Sequence, residues 1–131
     1  MRILLPPGWP RPRGYANGIS ARGRLIFTAG IVGWDEQQRF VASDFVGQLR
    51  QVLRNTLAIL AEDGAGPEHI VRMTWYVADR DEYVGRIKEV GAAYREVMGS
   101  HYPCMAAVQV AALIDPEARV EIETTAVVPE P

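Results

Sequence analysis

The run Met105–Leu113, MAAVQVAAL, constrains this chain most, because it is apolar on both alternating faces. Such a run, apolar at every position but Gln109, does not suit the half-wet strand of an open sheet, whose pattern alternates apolar and polar. The run therefore predicts a central strand covered on both sides. Two other strands show the alternation that this one lacks. In Ile70–Val77, Val71, Met73, Trp75 and Val77 oppose Arg72, Thr74 and Tyr76. In Arg119–Val128, Val120, Ile122, Thr124 and Ala126 oppose Arg119, Glu121, Glu123 and Thr125. Each of these buries one face.

Between the strands lie two helical patterns. Ser43 is the predicted N-cap of the first, whose apolar stripe is Phe45, Leu49, Val52, Leu53, Thr56, Leu57 and Leu60. Gln48, Arg50, Gln51, Arg54 and Asn55 form the expected polar side, and Gly64 suits the left-handed C-terminal position. The second helix opens on Asp79-Arg80-Asp81-Glu82, an acidic first turn that complements the helix dipole, and Gly99 ends it. Its stripe is Tyr83, Ile87, Val90, Tyr94 and Val97 or Met98.

Near the N-terminus, short strands are predicted at Tyr15–Ser20 and Arg24–Ala29, joined by a turn at Ala21-Arg22-Gly23. Residues 30–42 read as a loop, and Asp115-Pro116 as a turn. Four of the nine prolines fall in residues 6–14, so residues 1–14 read as an extended lead-in. The expected order is β-β-α-β-α-β-β in a single α+β domain over residues 1–131. One mixed sheet has both helices on one face. Its other face, if apolar, must meet another copy of the chain.

Composition narrows the partners. The chain has 131 residues and a formal net charge of -2, with Lys and Arg scattered, which argues against nucleic acid. The N-terminus lacks the apolar stretch of a secretory signal, and no run approaches a membrane span, so neither membrane nor export is expected. A single cysteine fits a reducing cytoplasm.

The chemistry-bearing residues are few. Cys104 follows His101 at a spacing open to a nucleophile–base pair, but a lone cysteine beside an apolar strand more often packs as a small hydrophobe. Two histidines, one cysteine and scattered acids do not add up to a zinc set, and the glycines match no nucleotide loop. No metal and no cofactor is called for. Glu121 and Glu123 share one face of the last strand, either as solvated glutamates or, at a subunit contact, as carboxylates with a task.

In this order of elements, several local stretches resemble the RidA/YjgF family of enamine/imine deaminases, also labelled endoribonuclease L-PSP. They are Tyr15 with Gly18-Ile19, Leu25–Gly30, Gln51–Asn55, Ile70–Thr74 before Val77 and Asp79, then Pro103, Val108–Leu113 and Val120–Val127. The resemblance implies a chorismate-mutase-like fold, a homotrimer with a central barrel, and small-molecule clefts between subunits. It places Tyr15, Ala29, Gly30, Ile31, Gly91 and Met105 at the ligand and Glu121 as the catalytic group. It also marks departures. The family's central strand opens Pro-Ala-Arg-Ser, whereas this chain has Pro103-Cys104-Met105-Ala106. Met105 thus stands where the carboxylate-binding arginine is expected, and a thioether cannot form that bidentate pair. Ala29-Gly30-Ile31 replaces Ser-Gly-Gln, and Gly91 occupies an asparagine position. Arg24, Arg95 or Arg119 is left to supply the missing charge. The expected activity is hydrolysis of an enamine or imine with altered substrate preference; the alternative is a trimer that binds a small ligand without turnover. Ribonuclease activity fits least, for want of a general acid/base pair in a basic groove.

Overall fold

The computed structural model describes residues 1–131. In chain order its elements are β1 (Arg2–Leu4), β2 (Gly18–Ser20), β3 (Arg24–Phe27), α1 (Phe45–Ala61), β4 (Ile70–Val77), α2 (Arg80–Gly85), α3 (Ile87–Met98), β5 (Cys104–Gln109) and β6 (Val120–Val128), with a 3-10 turn at Pro67–His69. The main sheet runs β3-β6-β4-β5, with β4 and β5 parallel and the other pairs antiparallel. A separate two-stranded ribbon joins β1 to β2.

One face of the sheet carries the core. Met73, Trp75 and Val77 of β4 and Val120, Ile122 and Ala126 of β6 are buried against Leu49, Val52, Leu53 and Leu60 of α1 and Val90, Ala93, Tyr94 and Met98 of α3. Strand alternation and helix stripes meet here from Met73 onward, but a bulge between Ile70 and Arg72 buries Ile70 in the place expected for Val71, and Ile87 of the second stripe stays exposed. The other face, hereafter the open face, has no helix. It presents Leu25, Phe27 and Val108, all exposed, among Arg72, Thr74, Tyr76, Glu121 and Glu123.

Several expectations are corrected. The apolar run is an edge strand, not a central one: β5 ends at Gln109, and residues 106–109 are exposed because no element of this chain covers its outer side. Ala111 and Ala112 continue into an exposed loop. The lead-in contains β1, which pairs with β2; hence β2 and β3 are not a hairpin. The second helix is two, broken at Arg86 just after Gly85. Asp44, not Ser43, caps α1, its carboxylate accepting from the Gly47 N–H at 3.1 Å.

Gln48 also departs from its expected polar side, being 1% exposed. Its Nε2 donates to the Ala42 and Glu117 carbonyls at 3.1 and 2.9 Å, and its Oε1 accepts from the Arg119 N–H at 2.7 Å. One side chain thereby ties the loop before α1 to the loop that feeds β6. Asn55 does similar work, donating to the Val32 and Trp34 carbonyls at 3.2 and 2.8 Å. Gln48 is buried and Asn55 half-buried because α1 is flanked by loops whose backbone groups need partners.

Candidate functional site

The cavity beside β5 follows from three sequence features. Met105 and Ala107 share the helix-side face of β5 with Met73 and Trp75 of β4, and Ala107 is small. Opposite, Tyr83, Ile87, Val90, Gly91 and Tyr94 recur at helical spacing along α2 and α3. The far half of that stripe buries Val90, Tyr94 and Met98, but Ile87 is 51% exposed, because the sheet edge in front of it carries only alanine. The unfilled space is a cavity of about 520 Å³, lined on its third side by the exposed Arg13, Gly14 and Tyr15.

Its walls are aromatic. The Trp75 ring meets Tyr83 edge-on, with centroids 6.1 Å apart, and Tyr102 stacks on Tyr94 at 5.2 Å. Tyr94 spends its hydroxyl on the His101 carbonyl at 2.8 Å, and burial raises its pKa well above the ordinary phenol range. Burial likewise pushes the Tyr83 phenol up. Both tyrosines therefore stay neutral and act as hydrophobic rings at neutral pH. Nine of the thirteen lining residues are hydrophobic, two are arginine, and none is acidic.

Of the residues expected at the ligand, Tyr15, Gly91 and Met105 line this cavity. Ala29, Gly30, Ile31 and Glu121 do not. Ile31 exchanges two backbone hydrogen bonds with Ile122 at 2.9 and 3.0 Å, which lays the 29–31 segment along β6. Gly30 lies directly against the Glu121 carboxylate, where a Cβ would overlap an oxygen. Ala29 is exposed, and its carbonyl accepts from the Thr28 hydroxyl at 2.8 Å. Glu121 stands in register with Tyr76 on the open face, whereas Met105 stands in register with Met73 on the helix side. The sheet itself separates the two groups within one chain.

Around Glu121 the open face is polar. The Tyr76 hydroxyl donates to Glu123 Oε1 at 2.6 Å, and this bond, with burial and the nearby Glu121 charge, raises the Tyr76 pKa. Cys104 stands in register with Arg72 on this same face, away from the cavity. His101 is not its base, since His101 Nε2 lies 2.7 Å from the Ile70 carbonyl and donates to it. No group of three His, Cys, Asp or Glu side chains converges on a point where it would hold a metal ion. No helix is long and apolar enough to cross a membrane.

Sequence reasoning missed Arg13, Trp75, Tyr83 and Tyr102 as cavity residues. The aromatic ones carry helical and strand periodicity indistinguishable from ordinary core. Arg13 carried no signal in its proline-rich surroundings. Of the three arginines considered as substitutes for an arginine at position 105, Arg24 pairs with Asp63 and Glu130, and Arg119 pairs with Glu82. Only Arg95 faces the cavity.

Comparison with known proteins places this arrangement. Residues 10–128 match the family described as endoribonuclease L-PSP. A 2-iminobutanoate/2-iminopropanoate deaminase of Salmonella typhimurium is 31% identical over 116 residues, 86% of each chain. A RutC family protein of Pyrococcus horikoshii is 34% identical over 126 residues, 95% of each chain. The crystal structure of YyfB, a protein of the conserved Rid family from Yersinia pestis, superposes with a TM-score of 0.85 at 29% identity. It covers 97% of this chain and 98% of that one.

Proposed function

This chain belongs to the Rid family of endoribonuclease L-PSP proteins, and from that premise we propose that it binds a small organic molecule in the α3–β5 cavity and hydrolyses an enamine or imine there. The observation that carries the proposal is the division of the site residues between two faces of one sheet. Tyr15, Gly91 and Met105 surround the cavity, while Gly30 and Glu121 lie across the sheet. A second copy that packs its open face near the β5 edge brings a Glu121 carboxylate to the cavity mouth. Closed threefold repetition of that contact also covers Leu25, Phe27 and Val108, which are exposed in the single chain.

The chemistry is then general-base hydrolysis. For an imino acid the balance is R–C(=NH)–COO⁻ plus water giving R–CO–COO⁻ plus ammonia. Glu121 takes a proton from water as the oxygen attacks the imine carbon. It passes that proton to nitrogen to give the carbinolamine, then takes the carbinol O–H proton and delivers it to the same nitrogen, so that the carbonyl forms as the C–N bond breaks and ammonia leaves. The Gly30 backbone, held against the same carboxylate, supplies polar groups that orient the reacting centre. No metal or cofactor enters these steps.

The largely apolar lining, with Met105 at its edge, favours a second reading as a ligand-binding trimer without turnover. One assay separates them. Imino acids generated in place by an amino-acid oxidase are followed for loss of imine and release of ammonia. Acceleration by the wild type, abolished in Glu121→Ala, supports hydrolysis; an unaccelerated reaction beside retained ligand binding supports the second reading.

A further inference from the structure

Within that cavity reading, we infer that Arg95 anchors the carboxylate of the ligand, and that the ligand carries an aromatic or bulky apolar group. Arg95 lies on α3 one turn beyond Gly91 and lines the cavity. A Cβ on residue 91 would sit 3.3 Å from Arg95 Nη1, so the glycine leaves the space through which the guanidinium folds back toward the cavity.

The charge on Arg95 is also uncommitted. Its sequence neighbour Glu96 is engaged by Arg50 and Arg54 at 3.1 and 3.5 Å, and Arg95 itself enters no ion pair. No Asp or Glu lines the cavity, while Arg13 adds a second cation at the mouth. An unopposed guanidinium beside apolar walls is suited to a bidentate carboxylate. Beyond it the ligand meets an aromatic wall in which Tyr94 stacks on Tyr102 and has given its hydroxyl to His101, with Trp75 and Tyr83 beside them. A 2-imino or 2-oxo acid with an aromatic side chain satisfies both ends.

The test is calorimetric titration with phenylpyruvate and with phenylacetone, its neutral counterpart lacking the carboxylate. Wild type is expected to prefer phenylpyruvate. Arg95→Ala should weaken phenylpyruvate about 10- to 100-fold, the worth of a charged hydrogen-bonded contact, with phenylacetone unaffected and Arg95→Lys recovering part of the loss. Arg95 is exposed, so its replacement leaves the fold intact, which circular dichroism checks. A wild type that prefers phenylpyruvate equally in Arg95→Ala would overturn the assignment and transfer it to Arg13. Equal binding of both compounds would refute a carboxylate anchor while leaving the cavity a ligand site. Binding of neither would remove the cavity reading and this assignment together.

Discussion

Replacing Gln48 with leucine isolates the polar contact that holds the entrance to β6. Leucine is close to glutamine in volume, so the buried site stays filled, but all three hydrogen bonds vanish. Each is worth about 0.5–1.5 kcal/mol net, and each buried backbone group left without a partner costs about 1–3 kcal/mol. Water reaching the loop carbonyls offsets some of that, and the extra apolar burial returns about 1–2 kcal/mol. The net loss is about 2–4 kcal/mol. For a chain of this size it lowers Tm by roughly 6–16 °C. Denaturant and thermal unfolding of wild type, Gln48→Leu and Gln48→Glu measure it. The glutamate variant keeps the acceptor for Arg119 but faces two carbonyls with a carboxylate. Its folded-state pKa is therefore raised, so its stability deficit is largest above that pKa and shrinks as acidification restores an O–H donor. A Gln48→Leu protein within about 0.5 kcal/mol of wild type, or a Gln48→Glu deficit indifferent to pH, would refute the hydrogen-bonding role.

Three further outcomes follow from particular contacts. Gly30→Ala puts a methyl group where the Glu121 carboxylate lies, so imine hydrolysis should fall far more than thermal stability; equal activity would show that Glu121 is not held there for catalysis. Absorbance titration of the five tyrosines at alkaline pH should show Tyr76, Tyr83 and Tyr94 ionising above the ordinary value of 10.0. Their folded pKa values are raised, so the stability they contribute is intact below that value and lost as pH climbs through the raised ones; Tyr76→Phe removes one of these late steps. Phe27, 67% exposed on the open face, becomes a contact residue in the proposed assembly, so Phe27→Lys should shift the mass measured by light scattering toward the monomer.

The parts of this fold legible in sequence are those set by local periodicity. Helix α1 and strands β4 and β6 declare themselves because each buries one stripe or face against a single layer. What stayed hidden depends on pairing between distant segments. The apolar run of β5 reads as a strand at the sheet centre, yet its strand forms the edge, because hydrophobicity alone does not encode a strand's place in the sheet order. β1 is masked by the prolines that follow it, since its pairing with β2 rests on a register no local pattern encodes. Gln48 and Asn55 look like solvent-facing residues until the loops they serve are placed around α1. Of the residues that the family motifs mark, Tyr15, Gly91 and Met105 line one cavity, and Gly30 lies beside Glu121 across the sheet. The aromatic walls were missed because a cavity is a deficit of packing. Its signal, an alanine on β5 opposite Ile87, appears only once the two elements face each other.

The central claim is that the site is shared, with the cavity from one copy and Glu121 from its neighbour. Subunit mixing tests it. Glu121→Ala supplies intact cavities without the base, and Gly91→Trp supplies the base with its cavity filled; each should be inactive alone. Co-refolded in equal amounts, random closed trimers restore the productive pairing at about one quarter of the sites, so activity near a quarter of wild type is expected. Mixed protein no more active than its parents, beside an active wild type, would contradict a shared site.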